Sequence, residues 1–265
     1  MTMNKKICVA ISTLNEGIYR CRKNIYELDS RLEIIIVHQV SSIDTCYDLL
    51  YKEIKEANPH VKIITSNTRG LSISRNIAIS NTTAKYIIFS DDDNSYSQDL
   101  YDIVLKTFRE LNEPEFVSFR IEDYDGAFFK VYPKQEVQHN KRSILRLSSI
   151  ENVFNVEFLK THHVVFNERF GLGAEFPSCE QPIFANSILS KGGIGFFIPK
   201  TIAFHPKENS GDDFYSKDSA LARKKMFELV FGRVKGRLIY LVFVIKKLNG
   251  VPKPLKLSFL RSLYD

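Results

Sequence analysis

The sequence predicts an α/β protein built on a largely parallel sheet. Three observations lead there: four short, nearly all-apolar runs at 7–12, 33–37, 61–65 and 86–90, helix-compatible segments between them, and polar turns directly after three of the runs. Strands apolar on both faces are those that helices cover on both sides. In such sheets ligands collect beyond the carboxyl ends of the strands.

The first strand, 7–12, leads through Thr13-Leu14-Asn15-Glu16 into a helix over 16–28. The second, 33–37, ends at His38-Gln39 and precedes a helix over 43–57, and the third, 61–65, precedes a helix over 71–79. The fourth, 86–90, runs straight into Asp91-Asp92-Asp93. Leu100, Ile103, Val104, Thr107, Phe108 and Leu111 recur at helical spacing over 98–111, and Asn112-Glu113-Pro114 ends that helix. Strands are then expected at 116–121 and 128–132 with Asp125-Gly126 as their turn, followed by a polar, mobile loop over the site at 134–146. A strand near 152–156, a glycine turn at 171–173, a helix over 180–191 and short strands at 195–198 and 201–204 complete this part.

A chain of 265 residues, 44% hydrophobic and 26% charged, suits one catalytic domain with a small appendage. Cys8, Cys21, Cys46 and Cys179 show no Cys-x-x-Cys spacing, and the N-terminus enters a strand with no secretory apolar region. Both features predict a reducing, cytoplasmic setting without structural disulfides or zinc. The net charge of +6 is uneven: residues 223–265 hold 11 Lys/Arg against two Asp/Glu, which leaves residues 1–222 at −3. In that basic segment Met226, Phe227, Val230, Phe231 and Val234 mark an apolar helical face, and 238–245 are eight apolar residues in a row. The run is too short to cross a bilayer but suits lying on an anionic one. A helix docked on the domain with a solvated basic face is the other reading. The apolar content argues against nucleic acid as the partner.

Three adjacent carboxylates repel one another unless solvent, a cation or a partner compensates them, so Asp91 to Asp93 point to a divalent metal. An acidic turn capping the next helix is the alternative. A calcium loop fits poorly, with Tyr96 at the glycine position and no Glu at the twelfth. Nor does any strand precede a Gly-x-Gly-x-x-Gly or Walker loop, which argues against dinucleotide and P-loop enzymes.

Taken in order, Ile11-Ser12-Thr13-Leu14-Asn15-Glu16, Ile36-Val37-His38-Gln39-Val40-Ser41, Gly70-Leu71-Ser72-Ile73-Ser74-Arg75-Asn76 and Phe89-Ser90-Asp91-Asp92-Asp93 resemble the motifs of the inverting family 2 glycosyltransferases with the GT-A fold. The likeness spans roughly residues 6–207, with Ser12 in place of Pro and His38-Gln39 in place of two aspartates. It implies a Rossmann-like, mostly parallel central sheet with flanking helices. The implied catalytic domain covers 1–222, with a nucleotide-sugar-binding half at about 1–115 and an acceptor half at about 116–222, followed by a basic amphipathic helical segment at 223–265.

The resemblance also implies roles. Asp93 would ligate Mn²⁺ or Mg²⁺, with Asp91 and Asp92 supporting the metal and ribose and His205 as a further ligand. Thr13, Asn15, Glu16 and Gln39 would line the nucleoside, with Arg75 near it or the diphosphate. In Pro177-Ser178-Cys179-Glu180-Gln181-Pro182-Ile183-Phe184 the position usually held by Asp is Gln181, which leaves Glu180 as the base. A UDP-sugar is the expected donor, since the Gln39 amide can donate and accept on a base edge. The acceptor is expected to be a glycan or a polyprenyl-diphosphate-linked chain of a bacterial surface polysaccharide, at the cytoplasmic face of the membrane. A non-catalytic nucleotide-sugar-binding protein is the alternative if Gln181 marks lost chemistry. A haloacid dehalogenase-type phosphohydrolase, with Gly211-Asp212-Asp213 as its later acidic motif, fits less well because 207–210 is polar where that motif needs a strand.

Overall fold

The computed structural model describes residues 5–25, 28–41, 46–205 and 214–264. The four apolar runs form β1 (Ile7–Leu14), β2 (Glu33–Gln39), β3 (Val61–Ser66) and β4 (Tyr86–Ser90), all parallel in the spatial order β3-β2-β1-β4. Between them lie α1 (Ile18–Ile25), α2 (Asp48–Ala57) and α3 (Leu71–Asn81). A two-residue β5 (Ser95–Tyr96) and α4 (Leu100–Glu110) follow, then β6 (Phe116–Glu122), β7 (Val137–Gln138), β8 (Asn152–Asn155), α5 (Val156–Thr161), α6 (Glu180–Ser190) and β9 (Gly195–Phe204). The sheet continues β4-β8-β6-β9-β5 with β7 also on β9. In this half β8 is antiparallel to both neighbours and β6 is parallel to β9, so the sheet becomes mixed.

Strand alternation sorts the core into two layers. Val9, Ile11, Ile34, Ile36 and Ile88 meet Ile18, Leu50, Ile54, Val104 and Phe108 of α1, α2 and α4. Cys8, Ala10, Ile35, Val37, Ile87 and Phe89 meet Ala78, Ile79, Leu159, Phe184 and Ile188 of α3, α5 and α6.

Three expectations change. The strand at 128–132 is reduced to a single bridge between Glu122 and Phe128: β8 pairs with β6 only over Phe116 to Ser118, which leaves this end of β6 open, but the Ile121 N–H goes to a side-chain hydroxyl in place of a backbone carbonyl and the ladder stops there. That segment attaches through the Phe129 N–H to the Ile121 carbonyl and the Tyr132 hydroxyl accepting from the Ile121 N–H. The strands at 195–198 and 201–204 are one strand, whose register against β6 shifts on either side of Arg120, near Pro199. Residues 134–146 supply β7 and a short 3-10 turn, and they do not line the cleft at the strand ends. Gly211-Asp212-Asp213 lies outside the described residues.

The basic segment is built into the fold. Helix α7 (Lys217–Phe231) runs across the boundary expected at 222/223, and α8 (Arg233–Lys247) and α9 (Lys256–Arg261) follow it. Met226, Phe227, Val230, Tyr240, Val244 and Phe259 share a third core with Phe170, Phe176 and Ile183. Gly236 lets α8 approach α7: a Cβ there would stand 2.3 Å from the Phe227 carbonyl oxygen. Helix propensity favours Ala over Gly by about 1 kcal/mol, but the clashing atoms are backbone and cannot swing aside. Gly236→Ala is therefore expected to lose about 1–3 kcal/mol in urea unfolding, an overpacking cost that outweighs the propensity gain.

His139 sits between Ser118 Oγ (2.8 Å from Nε2) and Ser143 Oγ (3.0 Å from Nδ1), stacked on Phe116. Burial pushes its imidazole down to about 4, so between that value and about 6.5 the unfolded chain binds a proton that the folded chain refuses. Stability contributed here is complete above about pH 6.5 and falls as the pH drops toward 4, by on the order of 3 kcal/mol. Unfolding curves across that window should decline less steeply for His139→Gln than for the wild type.

Candidate active site

The carboxyl ends of β1, β2 and β4 open onto a cleft of about 1010 Å³. Register places Ile11 beside both Ile36 and Ser90, so the turns after these strands begin close together. Thr13, Gln39 and Asp91 to Asp93 give the cleft polar lining, and Ile121, Phe129, Ile150 and Leu172 give it apolar lining.

The three aspartates hold different positions. Asp92 is nearly buried; its carboxylate accepts from Thr13 Oγ1 at 2.7 Å and from Arg20 Nε at 2.9 Å. Gly17 makes room for this knot, since a Cβ there would fall 2.2 Å from Asp92 Oδ2 and 2.5 Å from Thr13 Oγ1. Asp91 faces the cleft with Arg75 Nη2 3.5 Å away. Burial pushes its carboxyl upward, Arg75 opposes that rise, and Asp93 and Glu180 add to it. Asp93 stands 3.8 Å from His205 Nε2, and both side chains line the cleft.

Among the described residues no three His, Cys, Asp or Glu side chains converge as a metal cage. The Asp93 carboxylate nevertheless fits a hard cation of the Mg²⁺ or Mn²⁺ kind, which is commonly held by one or two carboxylates and completed by phosphate oxygens and water, and the His205 imidazole 3.8 Å away suits Mn²⁺ better than Mg²⁺. The pair comes from two separate segments and is open to the cleft.

Arg75 is fully buried and does not line the cleft. Its Nη1 donates to Glu180 Oε1 at 3.0 Å and its Nη2 to Ser149 Oγ at 2.5 Å, with the rings of Phe89 and Phe166 nearby. Glu180, the first residue of α6, does not line the cleft, and its side chain is 13% exposed. Cys179 reaches it through a left-handed backbone, φ +75°. Gln181 is buried, and both polar atoms of its amide lack a partner among the described residues.

The nucleoside candidates divide. Thr13 and Gln39 line the cleft, whereas Asn15 and Glu16 do not. Asn15 Oδ1 accepts from the Ser41 N–H and hydroxyl, and its carbonyl accepts from His38 Nε2 at 2.7 Å. That bond makes Nε2 the protonated nitrogen of His38 and leaves Nδ1 to accept from the Tyr51 hydroxyl at 2.7 Å. Burial lowers the His38 pKa, which keeps the ring neutral. Gln39 Nε2 donates to the Gly70 carbonyl and to Thr68 Oγ1, which fixes the amide with its oxygen as the remaining acceptor. Asn76, next to Arg75, grips the backbone of Phe166 through both ends of its amide.

Arg20, Gly17 and Ser149 were not among the expected site residues. Gly17 carried a legible signal, a glycine directly after the Thr13 to Glu16 turn, while Arg20 and Ser149 are defined only by contacts far away in sequence.

Comparison with known proteins gives a consistent result. The profile described as Glycosyl transferase family 2 matches residues 8–170. Among solved structures, S. aureus TarS 1-349 in complex with UDP-GlcNAc superposes with a TM-score of 0.67 at 14% identity, covering 97% of this chain and 79% of that one. The mannosyltransferase PcManGT from Pyrobaculum calidifontis, in complex with GDP-Man and Mn²⁺, superposes with a TM-score of 0.59 at 16% identity, covering 96% and 78%. No curated protein sequence gives a significant match.

The Arg75 clamp has a measurable weight. Removing one partner of a buried ion pair strands the other charge at a cost of about 3–5 kcal/mol. Arg75→Met should lose that much in urea unfolding, and adding Glu180→Gln to it should restore part of the loss.

Proposed function

The chain belongs to glycosyl transferase family 2, and from that premise we propose that it is a metal-dependent, inverting glycosyltransferase that moves a sugar from a UDP-sugar to a glycan or polyprenyl-diphosphate-linked acceptor. The observation that carries this reading is the meeting of Thr13, Gln39, Asp91, Asp93 and His205 in one cleft at the carboxyl ends of the parallel strands. The proposed division gives the nucleotide sugar to residues 1–115 and the acceptor to residues 116–222, which contribute the apolar lining at Ile121, Phe129, Ile150 and Leu172. Synthesis of a surface polysaccharide at the cytoplasmic face of a membrane is the setting we assign.

Gln39 would present its amide oxygen to the base, an acceptor matched to the N3–H of uracil. Thr13 and Asp92 would shape the floor beneath the ribose. Asp93 and His205 would hold Mn²⁺ or Mg²⁺ against the diphosphate, where a cation neutralises charge on the departing nucleoside diphosphate. Asp91 would stand at the inner side of the same group, steadied by Arg75. Glu180 is the proposed base: it is not part of the cleft lining, but its side chain stays 13% exposed, and on this reading it would reach the acceptor hydroxyl and take its proton as that oxygen attacks the anomeric carbon from the face opposite the leaving diphosphate. Arg75 would orient Glu180 through one carboxylate oxygen and leave the second for the proton. An α-linked donor would thus give a β-linked product.

Release of nucleoside diphosphate from a panel of UDP-, GDP- and dTDP-sugars, with lipid-linked and free glycan acceptors and with or without Mn²⁺, tests the reading. Metal-dependent turnover of a UDP-sugar, abolished in Asp93→Ala, is the expected result. Glu180→Gln should lower kcat by about 10²–10⁴-fold with little change in donor KM. Tight UDP binding with no transfer by the wild type would instead favour a non-catalytic nucleotide-sugar-binding protein.

A further inference from the structure

Helix α8 has two apolar faces, and the fold uses one. Gly236, Tyr240 and Val244 turn inward against α7 and α9. Val234, Leu238, Leu241, Val242 and Ile245 are 75, 61, 41, 52 and 62% exposed. At about 100° per residue these five fall within an arc of about 100°, and they extend for about 17 Å along the axis. The same helical positions put Lys235 and Lys246 along one border of the stripe and Arg237 along the other, where it pairs with Glu228 at 2.6 Å. A soluble surface rarely presents contiguous apolar side chains without a partner.

We propose that this face of α8 docks the protein on an anionic lipid surface. The stripe would lie in the headgroup and acyl boundary with its axis parallel to the membrane, while the basic borders reach lipid phosphates. Charge selects this occupant. Two copies meeting on the same face would oppose their lysine rows, and like charges brought together disfavour association. An anionic bilayer instead complements a segment, residues 223–265, that carries 11 Lys/Arg against two Asp/Glu. The contact is peripheral, since among the described residues no helix is long and apolar enough to cross a membrane. Docking needs no catalysis, so it stands or falls separately from the transferase reading.

The segment cannot be tested by deletion, because its inward face completes the third core. Flotation of the whole chain with vesicles of phosphatidylglycerol and phosphatidylcholine, beside pure phosphatidylcholine vesicles, is the direct experiment. The wild type should float with the anionic vesicles and at least tenfold less with neutral ones or in high salt. Combining Leu238→Asn, Leu241→Asn and Ile245→Asn should reduce flotation at least tenfold without shifting the thermal unfolding midpoint, as these side chains point outward. Lys235→Glu with Lys246→Glu, which leaves the stripe intact, should weaken binding to anionic vesicles as well. Wild type that ignores both vesicle types, or a triple variant that floats as well as the wild type, overturns the proposal. So does a wild-type dimer in free solution that the triple variant converts to monomer, which would make the stripe a self-interface.

Discussion

A guanidinium with no solvent exposure is costly unless its charge and its donors are met inside the protein. Arg75, whose Nε has no partner among the described residues, meets Glu180, Ser149 and Asp91, which belong to three separate stretches of chain. These are the start of α6, the approach to β8 and the turn after β4, so one side chain ties the parallel half of the sheet to the mixed half. The neighbouring Asn76 works in the same direction by pairing with the backbone of Phe166. Helix α3 therefore fixes the wall of the cleft largely from behind, with its first residue, Leu71, in the lining. The ring centroids of Phe89 and Phe166 lie 5.9 and 5.4 Å from the guanidinium carbon, and an apolar surround of this kind strengthens the ionic contacts that are made.

Much of this was legible in the chain. Four apolar runs announced the parallel strands because strands covered on both faces have no polar alternation to blur them. The order of the turns after those strands announced the cleft. What the sequence did not reveal was which member of a motif faces inward. Arg75, expected near the nucleotide, directs both its Nη atoms to Glu180 and Ser149, and Asn15, expected at the nucleoside, directs its Oδ1 to Ser41 and its carbonyl to His38; nothing local distinguishes a ligand-facing arginine from a buried one. The segment 128–132 has strand composition, yet its ladder with β6 stops after one bridge because the Ile121 N–H bonds to the Tyr132 hydroxyl in place of a backbone carbonyl, a choice that strand composition does not show.

The C-terminal helices show the same limit from the other side. Their basic, apolar composition was readable, and so was the helical spacing of Met226, Phe227 and Val230. That these residues share a core with Phe170, Phe176 and Ile183 depends on long-range packing. The departures at β2 follow a related logic. His38 is neutral and hydrogen-bonded at both ring nitrogens, and Gln39 is held by Gly70 and Thr68, so two positions without a negative charge still form an ordered rim.

The cleft joins two linings of opposite character, acidic and amide groups at the strand ends and Ile121, Phe129, Ile150 and Leu172 beyond them. For an enzyme that must deliver an activated sugar to a hydroxyl, the competing nucleophile is bulk solvent at about 55 M. Apolar walls give a stray water molecule few hydrogen bonds with which to settle in the attacking position, whereas an acceptor brings its own carbon framework to pack against them. On the proposed transferase reading, the apolar end of the cleft would filter the chemistry, favouring glycosidic bond formation over wasteful hydrolysis of the donor without any additional catalytic group.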